Sequence, residues 1–170
     1  AQRRDVHQTA LAAEWQTAGR GRRGRAWTAI AGGSLTFSLG WKFEQGAGFL
    51  AGLSLAVGVA VVRTLEAEGF KNVALKWPND VIHRHLKVGG ILIELNGDAL
   101  GTVLHLYAKE GFAPFVAEWQ HRHAYQGKAV RLLLPDGASV TGKVAGVDAS
   151  GALVLADGPR RARFLSGEIS

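Results

Sequence analysis

The sequence predicts an α+β fold: a sheet-and-helix domain first, then a small SH3-like β-barrel. Three observations carry this. One long apolar run has helical rather than alternating spacing. Strand-like segments bounded by turn signals lie on both sides of it. From about residue 125 the texture changes to short strands with a turn signal every several residues. A chain of 170 residues has room for one domain with a small appendage.

In chain order, TALAAEW (9–15) reads as a short strand running into a glycine-rich stretch. LTFSLGWKF (35–43) follows the Gly32-Gly33-Ser34 turn and is a second strand. Gly46 to Gly48 then open the apolar helix, in which Leu50, Leu53, Val57, Val61 and Leu65 recur at helical spacing and Gly69 fits a C-terminal cap. The run FLAGLSLAVGVAVV (49–62) has 14 residues, short of the roughly 20 that a membrane span needs, so it reads as a buried helix. NVALKW (72–77) is a strand stopped by Pro78, with Asn79-Asp80 as turn residues. VGGILIEL (88–95) is a further buried strand ended by Asn96-Gly97. Residues 102–119 are helical in two pieces, broken at Gly111 and restarted at Pro114. AVRLLL, ASVTGKVAGV, ALVLA and RARFL, separated by Asp-Gly and Ser-Gly turns, supply a barrel of about five strands. The domain boundary falls in QHRHAYQG, giving 1–123 and 124–170.

Composition narrows the chemistry. Cysteine is absent, which removes thiol catalysis, Cys-ligated metals and disulfides and fits a reducing cytosol. Methionine is absent too, so the chain reads as a fragment or a processed form. A net charge of +6 favours anionic partners without choosing among them.

Two stretches could carry chemistry. GRGRRGRAW (19–27) formally contains G-x-G-x-x-G, but no helix follows to present its N-terminus to a pyrophosphate, which argues against a Rossmann site. Three readings stay open: a solvated basic loop, a nucleic-acid-binding arginine/glycine tract, and a mobile loop that closes over a bound anion. KWPND (76–80) with HLKVGG (85–90) is the second. Taken alone, its turn is usually only a turn. Lys87 immediately before Val88-Gly89-Gly90 is more suggestive, because glycines open space where a lysine could meet an anion. The pairs His83/His85 and His121/His123 lack a third ligand of convincing spacing and read as surface or packing residues, so no protein metal site is expected. No G-x-S-x-G elbow occurs.

Together QTAGRGRRGRAW (16–27), LKWPNDV (75–81), KVGGILIEL (87–95) and the C-terminal GALVLADG…FLSGEIS resemble the biotin protein ligases. The order and spacing of the motifs make the match, and it spans nearly the whole chain. The resemblance implies a class II aminoacyl-tRNA-synthetase/biotin-synthetase-like mixed sheet with helices, plus the C-terminal barrel. It implies an ATP-dependent ligase that converts biotin to biotinyl-5′-AMP and passes it to a lysine of a biotin carboxyl carrier domain of acetyl-CoA carboxylase. Biotin, ATP and Mg2+ are the implied substrates and cofactors, in the cytoplasm, with a homodimer left open and no membrane partner.

By that resemblance Gln16 lines the pocket for the biotin head, and Gly19, Arg20, Gly21 and Arg22 form the loop over biotin and the adenylate phosphate. Lys87 reaches the reacting carboxylate and α-phosphate, and Gly90 lets the ligand lie against its strand. Asn79 and Asp80 fall in the nucleotide and Mg2+ neighbourhood, and Trp27 packs beside the adenine. Lys87 and Arg22 are the catalytic candidates; Arg20, Arg22, Trp27, Asn79, Asp80 and Lys87 are the nucleotide-binding set.

The chain departs from the family in two places. The Ser/Thr-Thr/Ser-Asn segment that grips the biotin ureido ring does not precede Gln16, and the strand and helices expected after residue 95 are compressed. The family's DNA-binding helix-turn-helix is absent from these residues, so a nucleic-acid partner is not expected. A lipoate-type acyl ligase is the nearest alternative, and a nucleic-acid-binding module using the arginine loop is the alternative of a different class.

Overall fold

A computed structural model describes residues 7–43, 47–94, 107 and 110–170. The chain divides into two compact units, Ala1–Ala47 with Leu92–Thr102 and Gly48–Ile91 with Val103–Ser170.

In the first unit, strands β1 (Thr9–Ala13) and β2 (Thr36–Gly40) pair antiparallel, with Leu11 opposite Ser38. Both expected strands form, shortened at their ends. Trp41 and Ala29 are buried, and the His7 ring meets Trp41 edge-on at 4.4 Å.

The second unit is built on helix α1 (Leu53–Ala67), which starts one residue after Gly52 and ends before Gly69, at φ +89. The expected C-cap glycine is thus in place: only a residue without a Cβ adopts that φ at no steric cost. The buried stripe is Leu55, Ala56, Val59 and Val62 with Leu53, rather than the register through Val57, Val61 and Leu65. In a run that is apolar all round, spacing alone does not say which face packs. The neighbour decides it: Gly58 lies on the buried face, where a Cβ would come within 2.9 Å of Leu75.

Against α1 lies a three-stranded antiparallel sheet of order β3-β4-β5: β3 (Val73–Lys76), β4 (Asp80–His83) and β5 (Leu86–Gly90). Here the sequence reading needs correction. Asp80 opens a strand rather than ending a turn, and the strand expected at 88–95 starts two residues earlier and stops at Gly90. The β4–β5 turn runs through Arg84 and His85, both with positive φ (48 and 70), so it carries none of the usual Asn-Gly signature. After Gly90 the ladder is replaced by a clamp, with the Ile91 N–H donating to the Asn79 carbonyl (2.9 Å) and Asn79 Nδ2 donating to the Ile91 carbonyl (2.8 Å). Nor is β5 buried; Leu86 and Val88 are largely exposed. Leu95, the Asn96-Gly97 turn, Gly46 and most of the first helical piece of 102–119 lie outside the described residues.

The second helical piece is present: a 3-10 turn at Ala113–Phe115 with proline near its start leads into helix α2 (Val116–Arg122). Phe112, Phe115 and Trp119 join the α1 core. Arg63 and Glu66 of α1 meet Glu118 and Arg122 of α2 in an ion-pair network, with Arg122 Nη1 2.6 Å from Glu66 Oε2.

The C-terminal barrel has the five strands expected: β6 (Ala129–Leu133), β7 (Ser139–Val147), β8 (Leu153–Asp157), β9 (Arg160–Phe164) and β10 (Glu168–Ile169). Their order is β10-β6-β7-β8-β9, all antiparallel, with the last strand returning beside the first. Alternation along β6 places Val130 and Leu132 inside, with Val144, Leu153, Leu155 and Ile169. Among the described residues the parallel contact is a single bridge, Leu75 to His123.

Candidate functional site

The candidate residues fall in both units, and each set is built by local geometry within its own. In the first unit, GRGRRGRAW is a closed β-hairpin. The Trp27 N–H donates to the Gly19 carbonyl (3.0 Å), Arg20 and Ala26 bridge, and the Gly21 N–H donates to the Arg25 carbonyl (2.7 Å). At its tip the Arg25 N–H reaches the Arg22 carbonyl (3.4 Å) over Arg23 and Gly24, whose φ values of 59 and 71 suit a type I′ turn.

The three glycines therefore have different duties. A Cβ on Gly19 would drive into the Trp27 carbonyl oxygen and approach Gln16 Oε1 at 3.1 Å. Gly24 supplies positive φ. Gly21 has ordinary extended geometry (φ −103, ψ −177), and a Cβ there would lie 3.6 Å from the Arg25 carbonyl, a normal contact. The hairpin's own construction does not require glycine at 21. Arg20 and Trp27 are exposed and Arg22 is half-buried, so the hairpin displays cationic and aromatic groups on a fixed backbone.

In the second unit the KWPND turn joins β3 to β4, with Lys76 opposite Asp80 in register. The Trp77–Pro78 peptide is cis. Ser54 Oγ of α1 donates to the Pro78 carbonyl (3.2 Å), and Asn79 spends its Nδ2 on Ile91. Asp80 takes Lys87: Nζ stands 2.7 Å from Oδ1, with Lys87 partly exposed and the carboxylate mostly covered. Lys76 turns elsewhere, with its ammonium 5.9 Å from the centre of the Tyr125 ring.

Gly90 sits beside the lysine. A Cβ there would be 3.5 Å from Lys87 Cε and Nζ, a contact the protein alone would tolerate. So Asn79, Asp80, Lys87 and Gly90 do gather in one place. Sequence reasoning missed the supports of that cluster: Ser54, Trp77, Gly151 and the ring of His123. Ser-Gly at 150–151 reads only as a turn, and nothing local says that it meets a tryptophan 74 residues away.

His123 is buried and stacked on Trp119 at 4.3 Å, and its Nε2 accepts from the Trp77 N–H (3.4 Å). Burial, then the Lys128 charge, pushes its pKa down to about 3. Among the described residues no three His, Asp or Glu side chains gather in a metal-binding group.

Residues 5–108 match the family model described as the biotin/lipoate A/B protein ligase family, and residues 125–170 match the biotin protein ligase C terminal domain. The chain belongs to the biotin/lipoate A/B protein ligase family. Among its relatives, the bifunctional ligase/repressor BirA of Escherichia coli (strain K12) is 30% identical over 95% of this chain and 65% of that protein. The biotin--[acetyl-CoA-carboxylase] ligase of Mycobacterium tuberculosis is 44% identical over 54% of this chain and 36% of its own length. The structure of a biotin protein ligase from Aquifex aeolicus in complex with biotin and ATP aligns at a TM-score of 0.79 and 27% identity. That alignment covers 96% of this chain and 88% of that one. The chain thus spans just under two thirds of the BirA protein of E. coli. All four motifs that carried the resemblance lie inside the two family matches.

Proposed function

We propose that this chain carries the catalytic and C-terminal regions of a biotin protein ligase, divided as 1–123 and 124–170. In the first step the biotin carboxylate oxygen attacks the α-phosphorus of ATP. Biotinyl-5′-AMP forms and pyrophosphate leaves, with Mg2+ entering as part of the MgATP substrate. In the second, a carrier-domain lysine attacks the acyl carbon and AMP leaves. The carrier follows from the relatives named as acetyl-CoA-carboxylase ligases.

The observation that carries the reading is the Lys87–Asp80 pair beside Gly90. Bringing a carboxylate up to a phosphate needs a fixed cation that offsets their repulsion and stabilises the charge of the transition state. Lys87 is such a cation, placed by the Asp80 carboxylate and exposed enough to meet an anionic ligand. Beside Lys87, Asn79 and Asp80 would receive the nucleotide and its magnesium, with Asp80 as the carboxylate this cluster offers to Mg2+. Gly90, which the protein itself does not need as glycine, leaves room for ligand.

In the hairpin, Arg20 and Arg22 supply charge-assisted donors for carboxylate or phosphate oxygens. Gly21 admits the ligand to the backbone, Gly19 keeps the arms closed against Gln16, and Trp27 offers a flat face for adenine. The local bonds of the hairpin favour a preformed cradle over the loose arginine tract of a nucleic-acid binder. The C-terminal match to the biotin ligase domain favours biotin over lipoate.

Biotin-dependent exchange of labelled pyrophosphate into ATP tests the reading, followed by transfer of biotin to a carrier domain. Exchange with biotin and none with lipoate is expected. Exchange driven by lipoate, or salt-sensitive binding of RNA with no exchange at all, would overturn it.

A further inference from the structure

Four elements meet on the three residues between β3 and β4. Ser54 of α1 holds the Pro78 carbonyl, His123 at the end of α2 receives the Trp77 N–H, and Asn79 and Ile91 clamp each other. The fourth contact comes from the barrel: the buried Trp77 indole N–H donates to the Gly151 carbonyl at 3.2 Å.

The barrel loop that supplies this acceptor is itself over-determined. Asp148 Oδ1 accepts from the Ser150 N–H (2.8 Å), the Ser150 hydroxyl (2.6 Å) and the Ala152 N–H (3.1 Å). Arg163 of β9 donates to Asp148 Oδ2. Gly151 has φ +79, and a Cβ there would fall 2.7 Å from Gly52 Cα, so two glycine backbones meet at the start of α1.

We propose that the Asp148–Ala152 loop is a positioning element for the Lys87 cluster, acting through the Trp77 indole on the turn that delivers Asp80. This makes the barrel part of the active-site scaffold, and it rests on the role proposed above for Lys87. A buried indole N–H that loses its acceptor is costly to leave unmatched, so the ring follows Gly151. Asp80 lies three residues from that ring, and its carboxylate sets where the Lys87 ammonium stands. Asp148, Gly151 and Trp77 are positioning residues, since none of them is assigned to touch substrate.

The test uses the whole chain with three variants, Trp77→Phe, Asp148→Ala and Asp148→Asn, and two readouts. The first is amide hydrogen exchange at Trp77 and Ile91, which report the turn, against Val59 and Val62 in α1. Trp77→Phe and Asp148→Ala are expected to speed exchange at Trp77 and Ile91 while leaving α1 unchanged. Asp148→Asn, which keeps the loop's acceptor oxygen, is expected to restore slow exchange. No change at the turn, or a uniform rise that includes α1, overturns the coupling.

The second readout is pyrophosphate exchange resolved into kcat and KM for ATP. Displacing a catalytic group by a fraction of an ångström should lower kcat by about 10-fold to 100-fold with KM little altered. A loosened turn with wild-type kcat overturns the catalytic half of the proposal. If the wild-type chain shows no biotin-dependent exchange, the ligase reading fails and the positioning of a catalytic lysine fails with it, while the amide readout still decides the link between barrel and turn.

Discussion

Lys87 and Asp80 face each other across β4 and β5, with Nζ 2.7 Å from Oδ1. Because both remain in contact with solvent to some degree, the pair contributes at most about 1 kcal/mol to stability. In the proposed mechanism its role is to place a cation. Lys87→Ala should therefore unfold at nearly the wild-type temperature yet lose biotin-dependent pyrophosphate exchange by about 100-fold or more. Exchange at the wild-type rate would remove Lys87 from the mechanism.

Gly90→Ala separates the needs of the protein from those of the ligand. The added methyl meets the Lys87 side chain at an ordinary distance, so the melting temperature should hold. If ligand lies against this strand, biotin affinity measured by calorimetry should fall by about 10-fold or more, the effect of a methyl in a filled site. Unchanged affinity would place the ligand elsewhere.

How much of this was legible in the sequence depends on the range over which each feature is decided. The C-terminal end of α1 with its Gly69 cap and the barrel strands rest on local signals and appear where expected, whereas α1 starts at Leu53, after a 3-10 turn at Ala47–Leu50, and not at Gly46 to Gly48. Strand β4 did not, because Arg84 and His85 turn the chain at positive φ without the residues that usually announce such a turn. Helical spacing alone did not fix the buried face of α1, because the packing partner at Leu75, not the helix's own pattern, selects it. KWPND was recognisable as a motif, but its four anchors are Ser54 of α1, His123 just after α2, Ile91 just after β5 and Gly151 of the barrel. No window of sequence contains them.

In the hairpin, Gly19→Ala and Gly21→Ala should behave oppositely. At 19 the new methyl collides with the fixed Trp27 carbonyl, so the arms must part and the Trp27 amide should exchange faster. At 21 the backbone already suits any residue, so Trp27 protection should persist while biotin affinity drops. A Gly21→Ala protein that binds biotin normally would show that the ligand does not approach this backbone.

Arg22→Ala removes the guanidinium proposed as a charge-assisted donor while keeping the main-chain carbonyl that accepts from the Arg25 N–H. Adenylate should still form, but single-turnover trapping should find more of it released to solvent before transfer. An unaltered partition between release and transfer would leave Arg22 outside the anion site.

His123 gives the protein a defined acid sensitivity. Its pKa is about 3 in the folded state, held down by burial first and by Lys128 second, against an ordinary value of 6.5. The unfolded chain therefore binds the proton more readily. The stability tied to neutral His123 is fully present above pH 6.5 and drains away as pH falls toward 3. Between pH 6.5 and 5 the loss should be about 2 kcal/mol. The depressed carboxylates Glu118 and Asp148 titrate below that interval, so they do not mask it. His123→Gln keeps an acceptor for the Trp77 N–H while removing the titration. Urea midpoints of this variant should be nearly flat from pH 6.5 to 5, where the wild type declines; parallel slopes for the two proteins would assign the acid sensitivity to another group.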